Sequence, residues 1–91
     1  MTLSTKQRKE LKARAHHLNP VIRVGQKGIS DNLLKETDLA LQSHELIKVH
    51  IAQEDRAERQ ATAAEIAAAC HAEIVAHIGK VSILFRERRE Q

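Results

Sequence analysis

Residues Pro20–Ser30 read Pro-Val-Ile-Arg-Val-Gly-Gln-Lys-Gly-Ile-Ser. Val21-Ile22-Arg23-Val24 is short, apolar and β-branched, which is the composition of a strand. Gly25-Gln26-Lys27-Gly28 follows at once. Ser30 then stands where a helix N-cap is wanted, and the spacing predicts a helix over about Asp31 to Ser43. A strand, a glycine loop and a helix in immediate succession open an α/β arrangement. In that unit two glycines let the backbone turn tightly and let another chain approach without Cβ interference. The N–H groups at the start of the following helix, with the positive end of its dipole, favour a phosphate. Lys27 adds a mobile cation. A Gly-x-x-Gly loop clamps a nucleic-acid backbone on this logic in KH domains, although a plain connecting turn also needs glycine. The segment is not a phosphate-binding Walker loop, which has four residues between its glycines and then Gly-Lys-Ser/Thr. Nor is it the dinucleotide fingerprint, whose third glycine is missing.

Toward the N-terminus, Ser4-Thr5-Lys6-Gln7 fits a capping box and predicts a helix to about His17. Leu11, Ala15 and Leu18 share one face of it; Lys6, Lys9 and Lys12 share the opposite side. Asn19-Pro20 stops the helix. Toward the C-terminus, Leu33, Leu34, Thr37, Ala40 and Leu41 form one face of the second helix, with Leu39 outside it and exposed. Leu46 to Ile51 alternates, with Ile47, Val49 and Ile51 on one side and Lys48 and His50 on the other, as in a strand with one wet face. Asp55-Arg56-Ala57-Glu58 is a second capping box, opening an alanine-rich helix to about Cys70. Glu73 to Ile78 and Val81 to Arg86 read as strands joined by Gly79-Lys80, a pair suited to a type II′ hairpin turn. Glu87 to Gln91 is a charged tail.

The order is therefore α-β-α-β-α-β-β: an α/β chain built as an α+β two-layer sandwich on a four-stranded mixed sheet. Helical crossovers imply that the first and second strands, and the second and third, form parallel pairs; the final hairpin adds an antiparallel strand. One domain over residues 1–91 is expected, with a folded core of about 3–86 and a tail of 87–91. Phe85 is the largest filler expected in its core.

Composition narrows function. Phe85 is the only aromatic residue in 91. That excludes an aromatic cage for methylated cations, a base-stacking sheet of the ribonucleoprotein type, and a surface of Tyr and Trp anchors. Cys70 is the only cysteine; it cannot form an internal disulfide and reads as a small core residue. The first 20 residues hold no apolar run, and no stretch approaches the roughly 18 apolar residues of a membrane span. A soluble, reduced, cytoplasmic protein with no membrane partner is expected.

Charge is unevenly spread. Residues 1–30 hold seven bases against Glu10 alone, residues 31–73 hold four bases against nine acids, and residues 74–91 hold four bases against two acids. Such polarity suits one surface for a polyanion and another that stays solvated. If the first helix runs antiparallel to the first strand, Lys6 and Lys9 fall near Lys27, and Lys80 lies at the same edge. Arg86 and the Arg88-Arg89 tail fall at the opposite end. The six histidines show no metal-ligand spacing: His16 and His17 diverge on a helix, and His44, His50, His71 and His77 are scattered. Asp55 is more simply a cap than a general acid–base group, and no Ser-His-Asp or Cys-His arrangement stands out. No catalytic residue, metal, cofactor or small-molecule substrate is indicated.

Three segments together carry a resemblance: Leu11–Ser30 (LKARAHHLNPVIRVGQKGIS), Glu45–Ile51 (ELIKVHI) and Ile78–Arg86 (IGKVSILFR). Over about residues 3–86 the chain resembles the CRM family, the chloroplast RNA splicing and ribosome maturation domain, and is most similar to its bacterial single-domain, YhbY-like branch. The resemblance implies a fold similar to the C-terminal domain of a bacterial translation initiation factor, in which the last strand inserts between the second and third. The residues themselves leave that strand order open. It also implies a non-enzymatic RNA-binding protein. The bacterial members associate with precursors of the large ribosomal subunit, and plant relatives assist intron splicing. The family's loop carries over to Gly25, Gln26, Lys27 and Gly28, and its basic surface to Lys6, Lys9 and Lys12, with Arg86 in the last-strand motif. Phe85 stands where relatives often have Tyr. With Arg23 and Lys80 from the charge pattern, these residues form the expected RNA-binding set of a monomer. The competing expectation is an adaptor that binds proteins on a ribosomal precursor particle through the open sheet face or Leu39.

Overall fold

A computed structural model describes residues 3–88. The elements are α1 (Thr5–Ala15), β1 (Pro20–Val24), α2 (Asp31–His44), β2 (Leu46–Ile51), α3 (Arg56–Ala69), β3 (Glu73–Ile78) and β4 (Val81–Phe85). The order is the one read from the sequence. Of the expected tail, Arg89 to Gln91 lies outside the described residues.

Local chemistry accounts for the boundaries. Ser4 and Gln7 close a full capping box: the Gln7 N–H donates to Ser4 Oγ at 3.1 Å and the Ser4 N–H donates to Gln7 Oε1 at 2.8 Å. Ser30 Oγ accepts from the Leu33 N–H at 3.1 Å, and Asp55 Oδ2 accepts from the Glu58 N–H at 2.9 Å. Each cap satisfies one of the donors that a helix start leaves orphaned. Helix α1 stops two residues short of His17, because the His16 N–H turns back to the Ala13 carbonyl and tightens the last turn. At the other end of the chain β4 stops at Phe85, where the Arg86 side chain leaves the strand for α2.

The sheet order is β1-β2-β4-β3. β1 and β2 pair in parallel, as expected. The expected β2–β3 pair is not formed: β4 lies between them, antiparallel to both. Burial explains the choice. Ile83 and Leu84 point to opposite faces and are both fully buried, so β4 belongs in the middle. His77 and Ile78 of β3 are exposed, and β1 begins with a proline that cannot donate to a ladder, so both suit edges.

Alternation then builds two cores rather than one. Ile22, Val24, Ile47, Val49, Ile51 and Leu84 pack on Leu41 of α2 and on Ala63, Ile66, Ala67 and Cys70 of α3. Leu46, Val75 and Ile83 point the other way and meet Leu3, Leu11 and Ala15, with Phe85 at their margin. The helices therefore cover both sheet faces, α1 on one and α2 with α3 on the other, in place of the expected two layers. Phe85 is half-buried; the largest fully buried side chains are Leu41, Ile47, Ile51, Ile66, Ile83 and Leu84. Cys70 is buried, as its place in the alanine run suggests. Among the described residues no helix is long and apolar enough to cross a membrane.

Candidate nucleic-acid interface

β1 delivers the chain to the Gly25–Gly28 loop at its C-terminal end. The Gly28 N–H donates to the Gly25 carbonyl at 3.1 Å, closing a four-residue turn around Gln26 and Lys27. The two glycines do different work. Gly28 has φ +86°, a conformation that side chains resist. Gly25 is not in that region, and a Cβ built on it would meet no atom within 4 Å. The fold thus requires a glycine at one end of the loop, while the other end presents bare backbone to open space. Gly25, Gln26 and Lys27 are exposed and Gly28 is half-buried.

The loop is propped from below. The Ala52 N–H donates to the Val24 carbonyl at 2.9 Å, extending the β1–β2 pairing to the loop's foot. Gln53 is buried; its Oε1 accepts from Thr62 Oγ1 at 2.6 Å, and its Nε2 lies 3.7 Å from the position a Gly28 Cβ would take. On the far side of β2, the Ile51 N–H donates to the Lys80 carbonyl at 2.8 Å. The Gly25–Gly28 loop, residues 52–54 and the β3–β4 turn therefore share one end of the sheet.

Charge follows the two faces. Arg23 and Lys48 alternate with residues buried under α2 and α3, so they point to the α1 side of the sheet. Arg23 pairs in register with His50. Lys6, Lys9 and Lys12 are exposed on the side of α1 turned away from buried Leu11 and Ala15. Among the described residues Lys6, Lys9, Lys12, Arg23 and Lys27 form no ion pair. The α2–α3 side carries six of the twelve acids: Asp31, Glu36 and Asp38 on α2, and Glu58 and Glu65 on α3, with Asp55 at its cap.

The other expected cations have partners within the chain. Lys80 Nζ pairs with Glu54 at 2.9 Å, and that contact, reinforced by Arg59, holds the Glu54 carboxyl below its ordinary range. Arg86 sits at the opposite end of the sheet. Its guanidinium contacts Asp38 Oδ1 at 2.6 Å, the Cys70 carbonyl at 2.8 Å and the Asp38 carbonyl at 3.1 Å. Arg86 thus ties β4 to α2 and to the end of α3. Sequence reasoning missed Gln53, Thr62 and Arg59 altogether. Arg59 Nη1 donates to the carbonyls of Gln53 and Glu54, at 3.0 and 2.6 Å. Only the fold brings these residues under the loop; no local motif marks them.

The histidines and the cysteine do not converge. Among the described residues no three His, Cys, Asp or Glu side chains are placed to share a metal ion. The Cys70 thiol is pushed up, first by burial and then by Asp38, with Arg86 opposing, which disfavours its nucleophilic thiolate.

Comparison with known proteins shows what the whole chain is similar to. The family model described as the CRS1/YhbY (CRM) domain matches residues 3–86. A Haemophilus influenzae protein named "RNA-binding protein" is 44% identical over 89 residues, spanning 98% of this chain and 90% of that one. A Bacillus subtilis protein named "Probable RNA-binding protein YqeI" is 34% identical over 88 residues, spanning 97% and 92%. The solution structure of the hypothetical protein SAV1595 from Staphylococcus aureus superimposes with a TM-score of 0.88 at 34% identity, covering 98% of this chain and 93% of that one.

Proposed function

The chain belongs to the CRS1/YhbY (CRM) domain family, and from that premise we propose that it is an RNA-binding protein that catalyses no reaction. It contacts structured ribosomal RNA in the course of large-subunit assembly, through the Gly25–Gly28 loop and the α1 side of the sheet. The observation that carries this reading is Gly25, a bare backbone position where the fold does not require glycine, beside an exposed Lys27 that forms no ion pair among the described residues. A sugar-phosphate chain can lie against that backbone as it cannot against a side chain. Further support comes from Lys6, Lys9, Lys12 and Arg23, which are exposed and form no ion pair among the described residues. Contacts of this type neutralise phosphates and release counterions, so affinity falls steeply with salt and depends weakly on sequence. Lys80 and Arg86, already paired, contribute less.

The test is binding to structured ribosomal RNA across a salt series, for the wild type and for Lys9→Glu with Lys27→Glu. Affinity and the magnitude of the salt slope should both fall, the slope by about one unit for each phosphate no longer neutralised. Unchanged affinity and slope would sink the reading. Leu39, 62% exposed on α2, supports an alternative adaptor role. Particle binding that survives both lysine reversals but fails when ribosomal proteins are stripped away would favour that role instead.

A further inference from the structure

On the acid-rich α2–α3 side, one hollow is cationic. Its volume is about 300 Å³. Arg56, Arg59 and Gln60 line it from the first turns of α3, His77 and Ser82 from paired positions on β3 and β4, and Gly79-Lys80 from the hairpin turn. Among the described residues no acidic side chain lines it. Glu54 stands nearby, 78% exposed, joined to Lys80.

The hollow is largely pre-arranged. Arg59 is fixed by its bonds to the Gln53 and Glu54 carbonyls, and its Nε is buried without a partner among the described residues. His77 Nδ1 and Ser82 Oγ are 2.9 Å apart. Burial, and then the Arg56 charge, hold the His77 imidazole below its ordinary pKa, so near neutral pH it contributes hydrogen bonding rather than charge. Arg56, with Arg59 and Lys80 that are also bonded within the chain, stands around one space with a hydroxyl and an amide, a set that suits a phosphate, which a guanidinium engages in matched geometry. The volume is at the lower end of ligand sites. A phosphate with its sugar fits that measure. With no aromatic side chain in the lining, a base gains no aromatic stacking there.

Position supplies the second argument. Residues 52–55 run between the hollow and the glycine loop: Ala52 bonds to the end of β1, Gln53 lies under Gly28, and Arg59 grips the carbonyls of Gln53 and Glu54. We propose that this hollow is a second phosphate subsite, which takes a sugar-phosphate of the same RNA whose backbone rests on Gly25–Gly28. It rests on the RNA-binding reading given above and extends that footprint around the sheet end onto the acid-rich side.

Ribose 5-phosphate is the small probe, followed by the amide resonances of Gly79 and Ser82 and the His77 ring; RNA affinity across a salt series is the second readout. Arg56→Glu and Arg56→Gln are the variants. Arg56 is exposed at the first position of α3, where an acid favours the helix dipole, so folding is retained. Ribose 5-phosphate should shift the hollow's resonances saturably in the wild type and not in Arg56→Glu. Both variants should lose about three- to tenfold in RNA affinity, with a salt slope smaller by about one unit. Wild-type RNA binding by both variants, alongside loss in Lys27→Glu, would overturn the subsite and leave the RNA reading standing. No loss in any of the three would overturn both. Saturable shifts without any RNA effect from Arg56 would overturn the RNA source and point to a free sugar phosphate instead.

Discussion

Gly25 and Gly28 are chemically identical and physically unlike, and a single methyl group separates their roles. At Gly28, φ +86° means that alanine must hold a left-handed backbone, at a cost of about 1–2 kcal/mol. Gly25→Ala meets open space at an ordinary φ, so it should leave stability unchanged or raise it slightly by restricting the unfolded chain. Its cost should appear in RNA affinity instead. Urea denaturation and RNA titration of the two variants check this crossing of effects. Weakened binding from Gly25→Ala without loss of stability is the expected result. His77 offers a separate test. Folding lowers its pKa, through burial first and Arg56 second. As pH falls, the unfolded chain therefore takes up this proton before the folded one does. The contribution is full above the ordinary imidazole value of 6.5 and is lost as pH drops below it. His77→Gln should flatten the decline in the urea midpoint as pH falls below 6.5, relative to the wild type.

Arg86 shows how one side chain joins elements. It contacts the Asp38 carboxylate, the Asp38 carbonyl and the Cys70 carbonyl, so β4, α2 and α3 meet at its guanidinium. Arg86→Ala removes charge-assisted bonds and leaves two carbonyls without that donor. A loss of about 2 kcal/mol is expected from urea denaturation, with a smaller loss of RNA affinity than Lys27→Glu causes at temperatures where the variant is folded. Arg86→Lys should recover only part of the loss, since a point charge cannot span three acceptors. The elements themselves were legible in the sequence, because alternation and caps are local. Strand order was not legible in the residues themselves, although the family resemblance implied the β4 insertion that the sheet shows. Gly79-Lys80 dictates that β3 and β4 pair, but either strand of that hairpin could have docked on β2. The decision lies in Ile83 and Leu84, which need burial on opposite faces, a requirement visible only once both faces are known to be covered. The second covered face went unread for the same reason: Leu11 and Ala15 make a stripe too narrow to say which side of the sheet it meets.

Across the whole molecule, a charge pattern written along the chain becomes a pattern across space. The basic first third supplies α1 and β1, and the acidic middle supplies α2 and α3, on the opposite face. The glycine loop and the α1 lysines were legible because they are contiguous or helically spaced. The cationic hollow was not, since Arg56, His77 and Lys80 are brought together only by the β4 insertion. That insertion also bears on how the protein is made. β2 touches β3 only through β4, so residues 46–78 emerge from synthesis with the middle of their sheet missing, and must wait for a strand that arrives last. The sheet is therefore completed by a strand that follows both of its neighbours in the chain rather than by progressive addition. A chain ending at Ile78 should show no cooperative unfolding transition by circular dichroism, although it retains every helix and three of the four strands.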